Sequence, residues 1–175
     1  METSIIRKNT SLSEEIITVL NQQIAVEAHS SATYLAMSSW CHLKGYIKSG
    51  EFFRHQSEEE TVHKMKLFDY ILDMGAQALA PEVQNVNNYF DDLKSILDNF
   101  LEMEISITNR FNKIAKKCLE SGDFQTFSFV QWFLDEQKEE EDTARRTIEI
   151  YELIGIELDG LYQIDKAIGK LIPQP

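Results

Sequence analysis

The chain has 175 residues, a length that fits one domain, and 43% of them are hydrophobic, enough for a proper core. Its formal net charge of -12 argues against binding nucleic acid, which needs a basic patch for the phosphates, and no apolar run approaches membrane-spanning length. With 7 Gly and 3 Pro there is little punctuation for many short strands, so long helices are expected.

Met1 to Thr10 lacks an apolar stretch of signal-peptide type, which points to the cytoplasm. Ser11 or Ser13 can cap a first helix that runs to about His42 and stops at Gly45. A second helix is expected after Ser49-Gly50, ending near Gly75. Gln77 to Phe90, with Pro81 and the polar Asn85, Asn87 and Asn88, reads as a long connection. Asp91 can cap a third helix ending before Gly122, and Asp123 a fourth ending before Gly155. A short apolar-faced segment, Leu161 to Leu171, follows Gly160 and is closed by Pro173. Short links make helices one and two, and three and four, antiparallel neighbours. The long middle link can travel the length of a bundle. The expected fold is therefore all-α: one domain over 1–175, a four-helix bundle over about 12–154 with one long crossover, and a short fifth helix over about 160–171. Cys41 and Cys118 form no CxxC pair and are read as free thiols.

A bundle buries residues spaced alternately three and four apart. That register gives Ile17, Leu20, Ile24, Glu27, Ser31 and Tyr34 on helix one, and Phe53, Gln56, Glu60, His63, Leu67, Tyr70 and Met74 on helix two. On helix three it gives Leu93, Leu97, Phe100, Glu104, Ile107, Phe111, Ile114 and Cys118, and on helix four Val130, Phe133, Gln137, Glu140, Ala144, Thr147, Tyr151 and Ile154. Each row is apolar at its ends and polar near its middle. Glu27, Glu60 with His63, Glu104, and Glu140 with Gln137 should thus converge at one height in the core. Four carboxylates buried together repel one another unless protonated or neutralised, and a pair of divalent metals supplies the missing charge. Such an oxygen-rich set with one imidazole suits iron or manganese better than zinc. Glu60 and His63, three apart, can share one metal while Glu60 bridges to the second. Tyr34, two turns from Glu27, is an electron donor, a hydrogen-bond partner or simple core packing. His29, His42 and His55 fall off the row and are expected to be exposed.

At these residues the chain resembles the ferritin family, most closely the bacterial non-haem ferritins. The matching stretches are Val26-Glu27 with Tyr34 and Trp40-Cys41, Glu59-Glu60-Thr61-Val62-His63 followed by Leu67-Phe68-Asp69-Tyr70, and Gln131-Trp132 leading into Glu136-Gln137-Lys138-Glu139-Glu140-Glu141. Gly160-Leu161-Tyr162 with Ile164-Asp165-Lys166 resembles the start of the family's fifth helix. The resemblance implies an iron store with a ferroxidase centre that oxidises Fe(II) with dioxygen or hydrogen peroxide. Glu27, Glu60 and His63 would hold the first iron, and Glu60, Glu104 and Glu140 the second, with Gln137 close by and Tyr34 beside the pair. A third iron site would map to Glu59, Glu136, Glu139 and Glu140. The resemblance further implies a hollow homo-oligomeric shell of twenty-four subunits filled with ferric mineral.

Animal ferritins line a three-fold channel with an Asp and a Glu early in helix four. The aligned positions here are Phe127 and Val130, which puts that way in for iron in doubt. Bacterioferritin would need a second Glu-x-x-His pair on helix four, and no methionine stands at mid-row on helix two to ligate haem, so no haem is expected. Rubrerythrins carry paired cysteines that this chain lacks. The DNA-protecting mini-ferritins lack the fifth helix. The rival from another class is an assembly-only or structural bundle subunit without metal chemistry, as in animal light chains, whose centre ligands are replaced.

Overall fold

The computed structural model describes residues 10–173, so the reading of Met1 to Thr10 lies, Thr10 apart, outside the described residues. The chain folds into α1 (Glu14–Lys44), α2 (Ile47–Asp73), α3 (Leu93–Ser121), α4 (Phe124–Ile154) and α5 (Gly160–Ile168), followed by a 3-10 turn, Gly169–Leu171. Among the described residues there is no strand. No helix among the described residues is long and apolar enough to cross a membrane.

Local chemistry sets most of the ends. The Ser13 side chain accepts from Ile16 N at the start of α1, and Gly45 closes that helix at φ 87, a left-handed conformation that glycine adopts without strain. Asp92, one residue later than expected, caps α3 in a reciprocal box with Ser95. Asp123 caps α4 by accepting from Thr126 N. Only Gly45 and Tyr46 separate α1 from α2, and only Gly122 and Asp123 separate α3 from α4, so each pair is an antiparallel hairpin. The link from α2 to α3 spans residues 74–92, longer than Gln77–Phe90, and joins the two hairpins.

Ser49-Gly50 does not precede α2 but lies in its first turn. The glycine serves a close approach there: a Cβ at position 50 would sit 2.1 Å from His42 Nδ1, and Ser38 Oγ donates to the Gly50 carbonyl at 2.7 Å. No side chain of α1 or α2 caps the start of α2. Asp165 of α5 does so across 116 residues of sequence: Oδ1 accepts from Ser49 N at 2.7 Å and Ser49 Oγ at 2.8 Å, and Oδ2 from Lys48 N at 3.2 Å.

The core divides into two apolar clusters. One gathers Met37, Trp40, Phe52, Phe53, Leu97, Phe100, Ile164 and Ile168. The other gathers Ile16, Leu20, Ile24, Leu67, Ile71, Ile107, Phe111, Val130 and Phe133. The expected rows hold along α3, and their polar middles are buried on all four helices. Elsewhere they slip: Ile17, Ser31, Tyr70, Met74 and Tyr151 are half-buried and Ile154 is exposed.

Candidate metal centre

Between the two apolar clusters lies a buried polar layer built from all four long helices. Glu27, Glu60, His63, Glu104, Gln137 and Glu140 are each at most 9% exposed. Helical spacing explains the grouping: Glu60 and His63 stand three apart on α2, Gln137 and Glu140 three apart on α4, so each pair shares a face. One ligating atom from each of Glu27, Glu60 and His63 lies within 4.8 Å of the others, a spacing a single cation can fill. His63 Nδ1 is 3.4 Å from Glu60 Oε2, and the imidazole packs edge-on against Trp132 and Phe133.

The second half of the layer is held by hydrogen bonds. Glu104 Oε1 accepts from the Tyr34 hydroxyl, and Glu104 Oε2 accepts from Gln137 Nε2 at 3.0 Å. Tyr34 is wholly buried, with its ring edge-on to Phe100. On the first half, Glu27 Oε1 accepts from Gln23 Nε2 at 2.7 Å.

Burial in this layer pushes every carboxyl up, and neighbouring carboxylates add to it. Glu27 is held well above the ordinary carboxyl range by desolvation and then by Glu60. Glu60 is raised likewise by desolvation and then by Glu104. Glu104 rises to about 7 through burial, although the Tyr34 and Gln137 hydrogen bonds oppose it. Glu140 rises to about 9 through burial, with Glu104, Glu59 and Glu136 adding to it. The layer is short of positive charge.

Two oxygens decide what would fit. Glu27 Oε2 and Glu60 Oε2 are buried and make no hydrogen bond. An orphaned carboxylate oxygen costs several kcal/mol in a dry core unless a cation meets it. Two of them beside an imidazole form a hard donor set with the chemistry of a divalent iron or manganese site.

Glu59, Glu136 and Glu139 stand outside this layer. With Glu140 they line a cavity of about 110 Å³ on the α2–α4 flank, closed in part by Leu171 and Pro173. His55, expected to be exposed, is half-buried in the wall of this cavity, with Nδ1 3.0 Å from Glu59 Oε2. It falls off the core row because it faces the flank rather than the axis. His29 is also half-buried, and His42 is exposed. Val130 is wholly buried in the bundle core, so its side chain faces inward rather than towards a channel between subunits.

Sequence reasoning missed Gln23 and Arg110. Gln23 stands four before Glu27 and so on the same face of α1, a spacing that could have flagged it. Its partner Arg110 lies 87 residues further on, and no local pattern announces that contact.

The comparisons with known proteins agree with this architecture. Residues 17–154 match the family model described as a ferritin-like domain. A probable bacterial non-heme ferritin-like protein of Haemophilus influenzae is 33% identical over 160 residues, covering 91% of this chain and 97% of its own. The bacterial non-heme ferritin of Escherichia coli O6:H1 is 35% identical over 166 residues, covering 93% and 99%. Among solved structures, the open pore ferritin of the archaeon Archaeoglobus fulgidus superposes with a TM-score of 0.89 at 30% identity, covering 94% of this chain and 99% of that one. With the family model covering most of the bundle and these relatives covering nearly the whole chain, the protein belongs to the ferritin family.

Proposed function

We propose that the protein is a cytoplasmic iron store that oxidises Fe(II) at the buried layer and holds the ferric product as a mineral inside a homo-oligomeric shell. The observation that carries this reading is the pair of buried oxygens that make no hydrogen bond, Glu27 Oε2 and Glu60 Oε2, beside His63. Glu27, Glu60 and His63 hold the first ferrous ion. Glu60, Glu104 and Glu140 hold the second, with Gln137 and Tyr34 fixing Glu104 through its two oxygens. Glu59, Glu136, Glu139 and Glu140 form an accessory iron site at the flank cavity. The names of the bacterial relatives support iron as the cargo.

The chemistry is a two-electron step. Two ferrous ions each give one electron to dioxygen, which takes up two protons and leaves as hydrogen peroxide. With hydrogen peroxide as oxidant, the same two electrons and two protons give two waters. Carboxylates favour the ferric product because the more highly charged cation gains more from anionic oxygen. The buried layer keeps bulk water away from the pair, and Tyr34 and Gln137 prevent Glu104 from swinging out.

Oxygen consumption on adding ferrous iron to metal-free protein tests the reading directly. Uptake that saturates at two irons per subunit is expected in the first phase. A chain that assembles but oxidises ferrous iron with neither dioxygen nor hydrogen peroxide is the assembly-only subunit instead. Sedimentation measures the shell, for which the family resemblance implies twenty-four copies.

A further inference from the structure

Glu27 is held from behind by two residues that touch no candidate iron position. Gln23 is wholly buried, and its amide has two different ends. Its Nε2 donates to Glu27 Oε1 at 2.7 Å, while its Oε1 accepts from Arg110 Nε at 3.0 Å. A glutamine amide can face either way, and what fixes it is the group it meets. Arginine carries only donors, so Arg110 has to meet the amide oxygen, and the NH2 end must then face Glu27. That end suits an anionic carboxylate. The reversed amide would set an oxygen against it. With Oε1 occupied in this way, Oε2 is the oxygen left without a partner.

We propose that Arg110 and Gln23 are positioning residues for iron binding: the donor-only guanidinium sets the direction of the Gln23 amide, whose Nε2 holds Glu27 Oε1 and leaves the other oxygen free for the metal. The inference rests on the reading of Glu27 as an iron ligand. Arg110 makes no ion pair among the described residues. It lines an open pocket of about 190 Å³ between α1 and α3 together with Lys113 and Lys117. Replacing it therefore leaves the polar layer itself unaltered in composition.

The proposal and plain Coulomb attraction predict opposite signs, which makes the test decisive. Removing a positive charge, or reversing it, should strengthen binding of a cation if only the local field counts. If direction counts, Arg110→Glu turns the amide round and weakens binding, by the roughly 10–100-fold typical of groups that orient a metal ligand. Cobalt(II) titration of the metal-free protein, followed by calorimetry and by the cobalt absorption bands, reads this without any turnover. Arg110→Lys keeps a donor-only cation and should bind within about threefold of wild type. Arg110→Gln, a milder change should the glutamate variant fold poorly, should weaken binding in the same direction. Glu27→Gln serves as the control. Unchanged or tighter cobalt binding in Arg110→Glu, or equal weakening in Arg110→Lys, overturns the positioning role while a weakened Glu27→Gln keeps Glu27 as a ligand. Wild-type binding by Glu27→Gln overturns both.

Discussion

Replacing Glu104 by glutamine exchanges a strained charge for a neutral group of the same shape. The geometry allows it: glutamine Oε1 can accept from Tyr34, and its amide can donate to Gln137 once that amide turns round. Only the 3.4 Å contact of Gln137 Nε2 with the Glu104 carbonyl is given up. The gain follows from linkage. Burial raises Glu104 from 4.5 to about 7, so above pH 4.5 the unfolded chain releases a proton that the folded chain keeps. Stability of the metal-free protein therefore falls with rising pH until about 7 on account of Glu104, and further towards about 9 on account of Glu140. The Glu104 share approaches about 3 kcal/mol at most. Water reaching the layer brings the expected gain from Glu104→Gln nearer about 1 kcal/mol per subunit at pH 7.5, and close to nothing at pH 5. In melting of the metal-free proteins that is an upward shift of about 2–4 °C at pH 7.5 only. Iron binding and oxidation should weaken at the same time, a trade expected where a site stores unfavourable charge. A variant that melts lower at pH 7.5 and still oxidises iron normally would make Glu104 a structural hydrogen-bond acceptor and refute the crowded-charge argument.

Three further outcomes are expected. His63→Ala should slow the fast phase of iron oxidation by at least about tenfold, with helical content and assembly unchanged by circular dichroism and sedimentation. Wild-type initial rates would remove the imidazole from the reaction. The double change Glu59→Ala with Glu136→Ala should lower the number of irons bound per subunit in calorimetry while the first two still bind. Loss of all binding would mean the ligands are divided wrongly between the layer and the flank. Asp165→Asn should weaken α5 docking by about 1–3 kcal/mol, because an amide cannot accept from both Ser49 and Lys48 with its two ends. Hydrogen exchange should then quicken over residues 160–171 and spare the long helices; unchanged protection there would show that the carboxylate does not hold the helix.

The central layer was legible because its signal is periodic. Glu27, Glu60, His63, Glu104, Gln137 and Glu140 each interrupt an apolar row at its midpoint, and a 3.6-residue period carries that information in any single helix. The start of α2 was misread because Gly50 looks like a stop. Its glycine character answers instead to His42 on the neighbouring helix, a contact between elements rather than within one. His55 was placed on the surface because the period describes the bundle axis and is silent about grooves between neighbouring helices. Arg110 was invisible for a related reason: its partner Gln23 lies on another helix, whereas Gln23 stands one turn from Glu27 and was open to the same spacing argument. The apolar face of α5 could be read, but that Asp165 caps a helix begun more than a hundred residues earlier could not.

The division of the layer between two hairpins bears on the life of the chain before it is finished. Glu27, Glu60 and His63 belong to α1 and α2, while Glu104, Gln137 and Glu140 belong to α3 and α4, on the far side of the 74–92 link. A ribosome releases the first hairpin before the second exists. In that interval the three early groups face water, where carboxylates ionise normally and hold a ferrous ion only loosely. The dry, crowded pocket comes into being when α4 closes over it. Oxidising chemistry on this reading is thus withheld from nascent chains by topology alone, and switched on by the last long helix to arrive.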